Sequence, residues 1–115
     1  MEIKIIDKPI SLPDVASLAE EQFGEMIKAA VDVKREIIAL GGELHSDEEA
    51  LLLETGSRQE DLWGINIYPE KPEEERVEFD SMINVRPSQN NRSRGVEDAQ
   101  IQARILRVVN NLIHS

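Results

Sequence analysis

The sequence predicts a small α+β fold, with an antiparallel or mixed sheet of about five strands and the N-terminal and C-terminal helices packed on one of its faces. Two observations lead to this class. Several short segments alternate apolar and polar residues, as strands do, and segments near both ends repeat apolar residues at helical spacing. The chain has 115 residues, of which 40% are hydrophobic, so we expect a single domain over residues 1–115 with its own core.

A short strand and a helix form the predicted N-terminal part. Residues 3–7, IKIID, alternate as a strand does. The hydroxyl of Ser11 can accept a hydrogen bond from the backbone N–H of Asp14, and Pro13 is tolerated in a first helical turn. Gly24 is placed to end this helix. The predicted buried stripe of the helix comprises Leu12, Val15, Ala16, Ala19 and Phe23.

Residues 26–44 allow two interpretations. The alternating Val-x-Val run and the later Ile-Ile pair favour two strands, at about 26–34 and 36–44, joined as a hairpin. A helix would also align a set of apolar side chains on one side. We predict the hairpin, with Gly41-Gly42 after it as a bulge or a close backbone approach. The residues that a helix would align are Met26, Ala30, Val33, Ile37 and Leu40.

The middle of the chain contains one open segment and one clear strand. Residues 46–56 begin like a helix, since acidic residues follow Ser46, but their Leu-Leu-Leu run before a turn equally suits a strand. The segment LWGINIYP alternates cleanly at Trp63, Ile65 and Ile67, which predicts a strand. The charged run at 70–76 is typical of a solvated loop.

The C-terminal third contains a predicted strand, a loop and a helix. Residues 77–86, VEFDSMINVR, alternate as a strand, and the polar residues 88–95 follow as a loop. The last helix is expected over about 96–113, because apolar residues recur there at intervals of three and four. These residues are Ile101, Ile105, Val108 and Leu112, with Val109 and Ile113 beside them.

Composition excludes several classes of function. The net charge of −10 disfavours non-specific binding to nucleic acid or to anionic lipid, and no apolar run is long enough to span a membrane. The absence of cysteine excludes disulfides and thiolate metal sites, and fits a cytoplasmic location. The N-terminus does not resemble a signal peptide. The charge is uneven, because residues 1–80 contain 8 basic and 21 acidic side chains, whereas 81–115 contain 5 basic and 2 acidic.

Two long runs resemble a family of short bacterial proteins, known as a domain of unknown function. They are GGELHSDEEALLLETGSRQEDLWGINIYP and FDSMINVRPSQNNRSRGVED, and the IKIIDKPISL start extends the resemblance to nearly the whole chain. The resemblance implies a bacterial, cytoplasmic, stand-alone domain. It implies no activity, substrate, cofactor or catalytic residue.

The first candidate site is a row of alternating polar residues, Glu43, His45, Asp47 and Glu49. If a strand continues through residue 49, all four side chains share one face. Carboxylates and an imidazole are ligands for zinc, manganese or iron, and they can also act as general acid and base, which suggests a small metal-assisted hydrolase. The alternative is that the carboxylates belong to the first turn of a helix.

The second candidate site is the loop that contains Arg86, Asn90, Arg92, Ser93 and Arg94, with Asn91 among them. It precedes a predicted helix start, where free N–H groups favour anions, and arginine adds paired donors for phosphate or carboxylate. We therefore expect a binding or interaction module for an anionic or phosphorylated ligand or an anionic protein partner. Alternatively, the arginines pair with internal acids. Self-association through an exposed sheet edge is a further expectation.

Overall fold

The computed structural model describes residues 2–115. Within them, the strands are β1 (Lys4–Ile6), β2 (Ile10–Ser11), β3 (Ile27–Asp32), β4 (Ile37–Leu40), β5 (Leu62–Ile67), β6 (Val77–Glu78) and β7 (Ile113–His114). The α-helices of this part of the chain are α1 (Leu12–Gln22), α2 (His45–Glu54) and α3 (Ala99–Leu112). Single 3-10 turns occupy Gln59–Asp61, Glu73–Glu75, Met82–Asn84 and Pro87–Gln89.

Five of these strands form one antiparallel sheet in the order β1-β4-β3-β5-β6. Strands β3 and β4 are the predicted hairpin, so that prediction is confirmed and the helical alternative is excluded. The remaining strands, β2 and β7, pair in parallel, with Ile10 opposite Ile113. This small pair ties the start of α1 to the end of α3. The α+β class with a five-stranded sheet is confirmed.

Helix α1 begins and ends at the residues that the sequence predicts. The hydroxyl of Ser11 accepts from the N–H of Asp14 at 3.2 Å, and Pro13 lies in the first turn. Gly24 has a φ of +89° and donates its N–H to the carbonyl of Ala19 at 2.8 Å, which closes the helix. The prediction that Phe23 is buried is wrong, because its side chain is 44% exposed beyond the last turn of the helix.

Helices cover both faces of the sheet. On one face, α1 and α3 pack on the alternate strand residues, as predicted, through Val15, Ala19, Ile105, Val108, Ala29 and Val31, among others. On the other face, α2 packs on the residues between them. That second core is smaller and consists of Ala30, Ile37, Ala39, Leu52 and Leu62. This face is only partly covered, since Lys28 and Asn66 on it line an open cleft.

The prediction of one strand over 77–86 is wrong, since β6 ends at Glu78. Beyond that point, side chains take the place of a neighbouring strand along β5. The amide of Asn84 accepts from the N–H of Gly64 at 2.8 Å and donates to its carbonyl at 2.9 Å. Gly64 permits this approach, because a Cβ there would lie 2.5 Å from the side chain of Ser81. An alternating sequence does not reveal that side-chain amides replace the backbone pairing.

Candidate functional site

The row of Glu43, His45, Asp47 and Glu49 depended on a strand that is absent. Helix α2 begins at His45, and Asp47 lies in its first turn, where a carboxylate complements the helix dipole. Successive residues of a helix turn by about 100°, so alternate side chains do not share a face. Within residues 2–115, no group of three or more His, Asp or Glu residues is arranged to hold a metal ion. The four side chains do not form the predicted metal site, and the hydrolase alternative has no support.

Arg86 has a structural role in the second cluster. Its guanidinium group donates to the backbone carbonyls of Gln59 and Leu62 and lies over the ring of Trp63, 4.1 Å from the centroid. Only 8% of the residue is exposed, and this burial lowers the pKa of Arg86. The guanidinium therefore satisfies backbone carbonyls of β5 and of the turn before it, and it is not presented to a ligand.

The backbone of the loop holds one of the protein's own carboxylates. The Oε2 atom of Glu97 accepts from the N–H groups of Arg92 and Ser93 at 2.7 and 2.8 Å, and these bonds lower the pKa of Glu97. Asp98 caps α3 by accepting from the N–H of Gln100 at 2.8 Å. The anionic position that the sequence predicts beside the helix start is thus filled from within the chain.

The asparagines of the loop are also used internally. The buried side chain of Asn91 donates to the carbonyls of Asn84 and Gly95 at 2.7 and 2.8 Å. Asn90 has a φ of +59° and ends the turn that follows Arg86. These contacts make the loop an ordered unit with its own hydrogen bonds, rather than an open set of donors.

Arg94 differs from the other loop residues because its side chain reaches Asp80, two residues beyond the end of β6. Its Nε donates to Oδ1 of Asp80 at 2.7 Å, and its carbonyl accepts from the N–H of Ser81 at 2.9 Å. The Arg94 side chain is 58% exposed. It lines a cleft that also contains His45, so the structure brings together one residue from each predicted cluster.

This cleft, which we call the sheet-face cleft, lies where α2 leaves the sheet uncovered. Its volume is about 530 Å³. The start of α2 forms one wall and residues 80–83 form the other. The lining residues are Met26, Lys28, Leu44, His45, Ser46, Asn66, Tyr68, Glu78, Asp80, Ser81, Met82, Ile83 and Arg94.

The floor of the sheet-face cleft is a row of polar side chains on adjacent strands. Lys28 of β3 lies opposite Asn66 of β5, which lies opposite Glu78 of β6. Asn66 donates its amide to Oε1 of Glu78 at 2.8 Å and to the carbonyl of Asp80 at 3.3 Å. Tyr68 donates to the same Glu78 oxygen at 3.2 Å. Asn66, Glu78 and Tyr68 therefore form a connected hydrogen-bond network, and Lys28 lies beside it.

His45 forms the wall of the cleft at the first residue of α2. Its Nε2 lies 2.8 Å from the carbonyl oxygen of Ile65, so this nitrogen carries a proton, because a carbonyl can only accept. Burial lowers the pKa of His45, and the charge of Lys28 acts in the same direction, while the Ile65 carbonyl and Asn66 oppose it. The ring is neutral near pH 7 and keeps a lone pair on Nδ1.

The rim of the cleft is apolar. Met82 and Leu44 are 66% and 55% exposed, which makes them the two most exposed large hydrophobic residues in the described part of the chain. Both line the sheet-face cleft, together with Met26. Exposed apolar surface concentrated around a polar depression is typical of binding sites.

Sequence reasoning missed most residues of this cleft. Lys28, Asn66 and Glu78 are polar residues at alternate positions of strands, and such residues usually face water. The alternation does show which face of each strand they occupy. It does not show that β3, β5 and β6 are neighbours, and only that neighbourhood turns three separate polar side chains into one row.

The fold and the cleft define a small α+β protein with a partly covered sheet face and an open, mixed polar and apolar depression on it. The chain belongs to the family described as protein of unknown function, DUF5674, whose model matches residues 4–112. The family resemblance inferred from the sequence is thereby confirmed. Comparisons with curated proteins and with solved structures find no match. Among the helices of residues 2–115, none is long and apolar enough to cross a membrane.

Proposed function

We propose that this protein binds a small organic molecule in the sheet-face cleft. One observation carries the proposal: the two most exposed large apolar side chains, Leu44 and Met82, border a connected row of polar groups on the cleft floor. Apolar side chains gain by burial, and a few fixed polar groups orient what covers them. A ligand with both kinds of surface would satisfy rim and floor together.

The protein remains a binding module, as the sequence predicts, but we place its site in the sheet-face cleft and not in the loop at 86–95. Arg94 is the loop residue that lines the cleft, whereas Arg86 and the N–H groups of Arg92 and Ser93 have internal partners. A phosphorylated ligand held by the loop at 86–95 therefore has less support than a ligand in the cleft. Cytoplasmic location, bacterial origin and self-association stay predictions from the sequence.

A fragment screen by ligand-observed NMR tests the proposal when it is combined with a blocking substitution. Ser46 is exposed at the second position of α2 and lines the cleft, so Ser46→Trp places an indole in it without changing the core. Ser17 is exposed on α1, which covers the opposite face of the sheet, so Ser17→Trp is the matched control.

Fragments that occupy the cleft should bind the parent protein and Ser17→Trp and should be lost in Ser46→Trp. Backbone amide shifts caused by these fragments should centre on residues 44–46 and 80–83. Fragments that bind Ser46→Trp as well as they bind the parent, with shifts elsewhere, would refute the cleft as the binding site.

A further inference from the structure

We infer that the sheet-face cleft takes a ligand with a cationic hydrogen-bond donor, an ammonium or amidinium group, at its polar end and an apolar body behind it. This inference rests on the proposed function, because it names the class of molecule that the cleft would hold. It is opposite in charge to the anionic ligand that the arginines of the 86–95 loop predict.

The two cations of the cleft each donate to a group of the chain itself. Lys28 donates from Nζ to the carbonyl of Glu43 at 3.0 Å and lies over the ring of Phe23, 5.2 Å from its centroid. Arg94 donates from Nε to Asp80, and the largely exposed position of its side chain leaves its charge screened by water and salt. These internal contacts use part of the donor capacity of both cations.

The acceptors of the cleft floor also have unused capacity. Asn66 is only 6% exposed, and its Oδ1 has no hydrogen-bond partner among residues 2–115. This oxygen is itself buried, so the accessible acceptor at this end of the cleft is the carboxylate of Glu78. Both hydrogen bonds to Glu78 reach the same oxygen and come from neutral groups, Asn66 and Tyr68. In the described chain, no Lys, Arg or His lies within ion-pair distance of that carboxylate.

The electrostatic surroundings favour a cation as well. The protein has a net charge of −10, which attracts cations and repels anions over its surface as a whole. Burial raises the pKa of Tyr68, and the nearby carboxylates of Glu78, Glu25 and Asp80 raise it further. The neutral His45 adds a lone pair and no positive charge.

The apolar body of the ligand is indicated by the rim. Leu44, Met82 and Met26 lie around the polar floor, and methionine adapts its shape to varied apolar groups. A ligand with a donor head on Glu78 would place its body against these side chains.

Three probes with one apolar body separate the possible head groups. Phenethylamine carries an ammonium group, 2-phenylethanol a neutral hydroxyl, and 3-phenylpropanoate a carboxylate. Titrations followed by NMR at low salt should show binding of the amine, with the alcohol and the carboxylate about tenfold weaker or more, since a charge-assisted bond is lost. Added salt should weaken the amine alone.

Two carboxylate substitutions assign the effect to the cleft. Glu78→Gln keeps an acceptor and removes the charge, so it should weaken the amine about tenfold and leave the alcohol unchanged. Glu21→Gln removes an exposed carboxylate from the end of α1 and should change neither. Circular dichroism confirms that both variants fold.

The outcomes separate this inference from the proposed function. Tighter binding of the carboxylate, equal binding of all three probes, or no binding at millimolar concentration overturns the cationic class, and the fragment screen still decides whether the cleft binds ligands. If phenethylamine binds Ser46→Trp as well as it binds the parent, it binds outside the cleft. That result overturns both the cationic ligand class and the proposed function.

Discussion

Glu48 provides the sharpest test of the packing of α2. This carboxyl group is fully buried, and its Oε2 accepts from the N–H of Gly42 at 2.9 Å. Its Oε1 has no partner in the described residues. Gly42 is required here, because a Cβ at that position would lie 2.8 Å from Cγ of Glu48. Burial raises the pKa of Glu48 from 4.5 to about 8, with Asp47 adding to the rise and Lys28 and the Gly42 and Gly41 N–H groups opposing it.

The sign of the pH dependence follows from this pKa. The folded protein binds the Glu48 proton more tightly than the unfolded chain does, so its contribution to stability is fully present below about pH 4.5. That contribution is lost as pH rises toward about 8. Each pH unit in this interval removes about 1.4 kcal/mol, which amounts to about 5 kcal/mol over the interval.

Glu48→Gln should abolish this dependence. Glutamine is neutral at every pH, and its carbonyl can accept from the N–H of Gly42, but its buried amide lacks an acceptor at a cost of about 1–3 kcal/mol. We expect the variant to be the less stable protein below about pH 5 and the more stable one, by about 2–4 kcal/mol, above pH 8.

Urea unfolding followed by circular dichroism, from about pH 5 to about pH 9, measures the effect as the difference in free energy of unfolding between variant and parent. Glu54→Gln, at the exposed end of the same helix, is the control and should leave the pH dependence of the parent unchanged. Parallel stability curves for the parent and Glu48→Gln would refute the claim that the carboxyl group is buried and protonated.

Three further predictions test the core, the replaced strand and the loop. Ile105→Ala should lower the free energy of unfolding by about 2–5 kcal/mol, because the side chain is fully buried against the sheet, and an unchanged urea midpoint would show that α3 does not dock there. Gly64→Ala should destabilise by about 1–3 kcal/mol, since its methyl group would meet Ser81, and a melting temperature equal to that of the parent would contradict this packing. Glu97→Ala should empty the backbone N–H groups at Arg92 and Ser93, so phosphate at constant ionic strength should raise the melting temperature of the variant in a saturable way. The parent should show no such rise, and equal responses would mean that Glu97 does not occupy the site.

Local signals in the sequence were sufficient for much of the fold. The cap at Ser11 and the stop at Gly24 were predicted because a few neighbouring residues define them. The β3–β4 hairpin and the stripe of α3 were predicted because alternation and helical spacing directly reflect burial on one face. The prediction that Phe23 is buried was wrong because the helix ends at Gln22, before the Phe23 side chain can turn toward the core.

The segment 46–56 stayed open in the sequence because its leucines suit either a helix or a strand. Its helical state comes from packing on the second face of the sheet, where Leu52 is buried. The metal-site hypothesis required a strand through residue 49, and the helix removes that condition. The prediction of a strand over 77–86 was wrong for a related reason. The side-chain amide of Asn84 pairs with the backbone of β5 in place of a strand, and such pairing produces no periodic pattern in the sequence.

The sequence by itself determined the class of fold, the hairpin, the caps and both terminal helices, because these depend on residues close together in the chain. The tertiary structure alone decided which polar groups meet. Arg86 donates to the carbonyl of Leu62, which is 24 residues away along the chain, and so supports β5. Lys28, Asn66 and Glu78 become one row only through the strand order β3-β5-β6. Partners of polar groups depend on contacts between distant segments, and periodicity along the chain records only whether a side chain is buried.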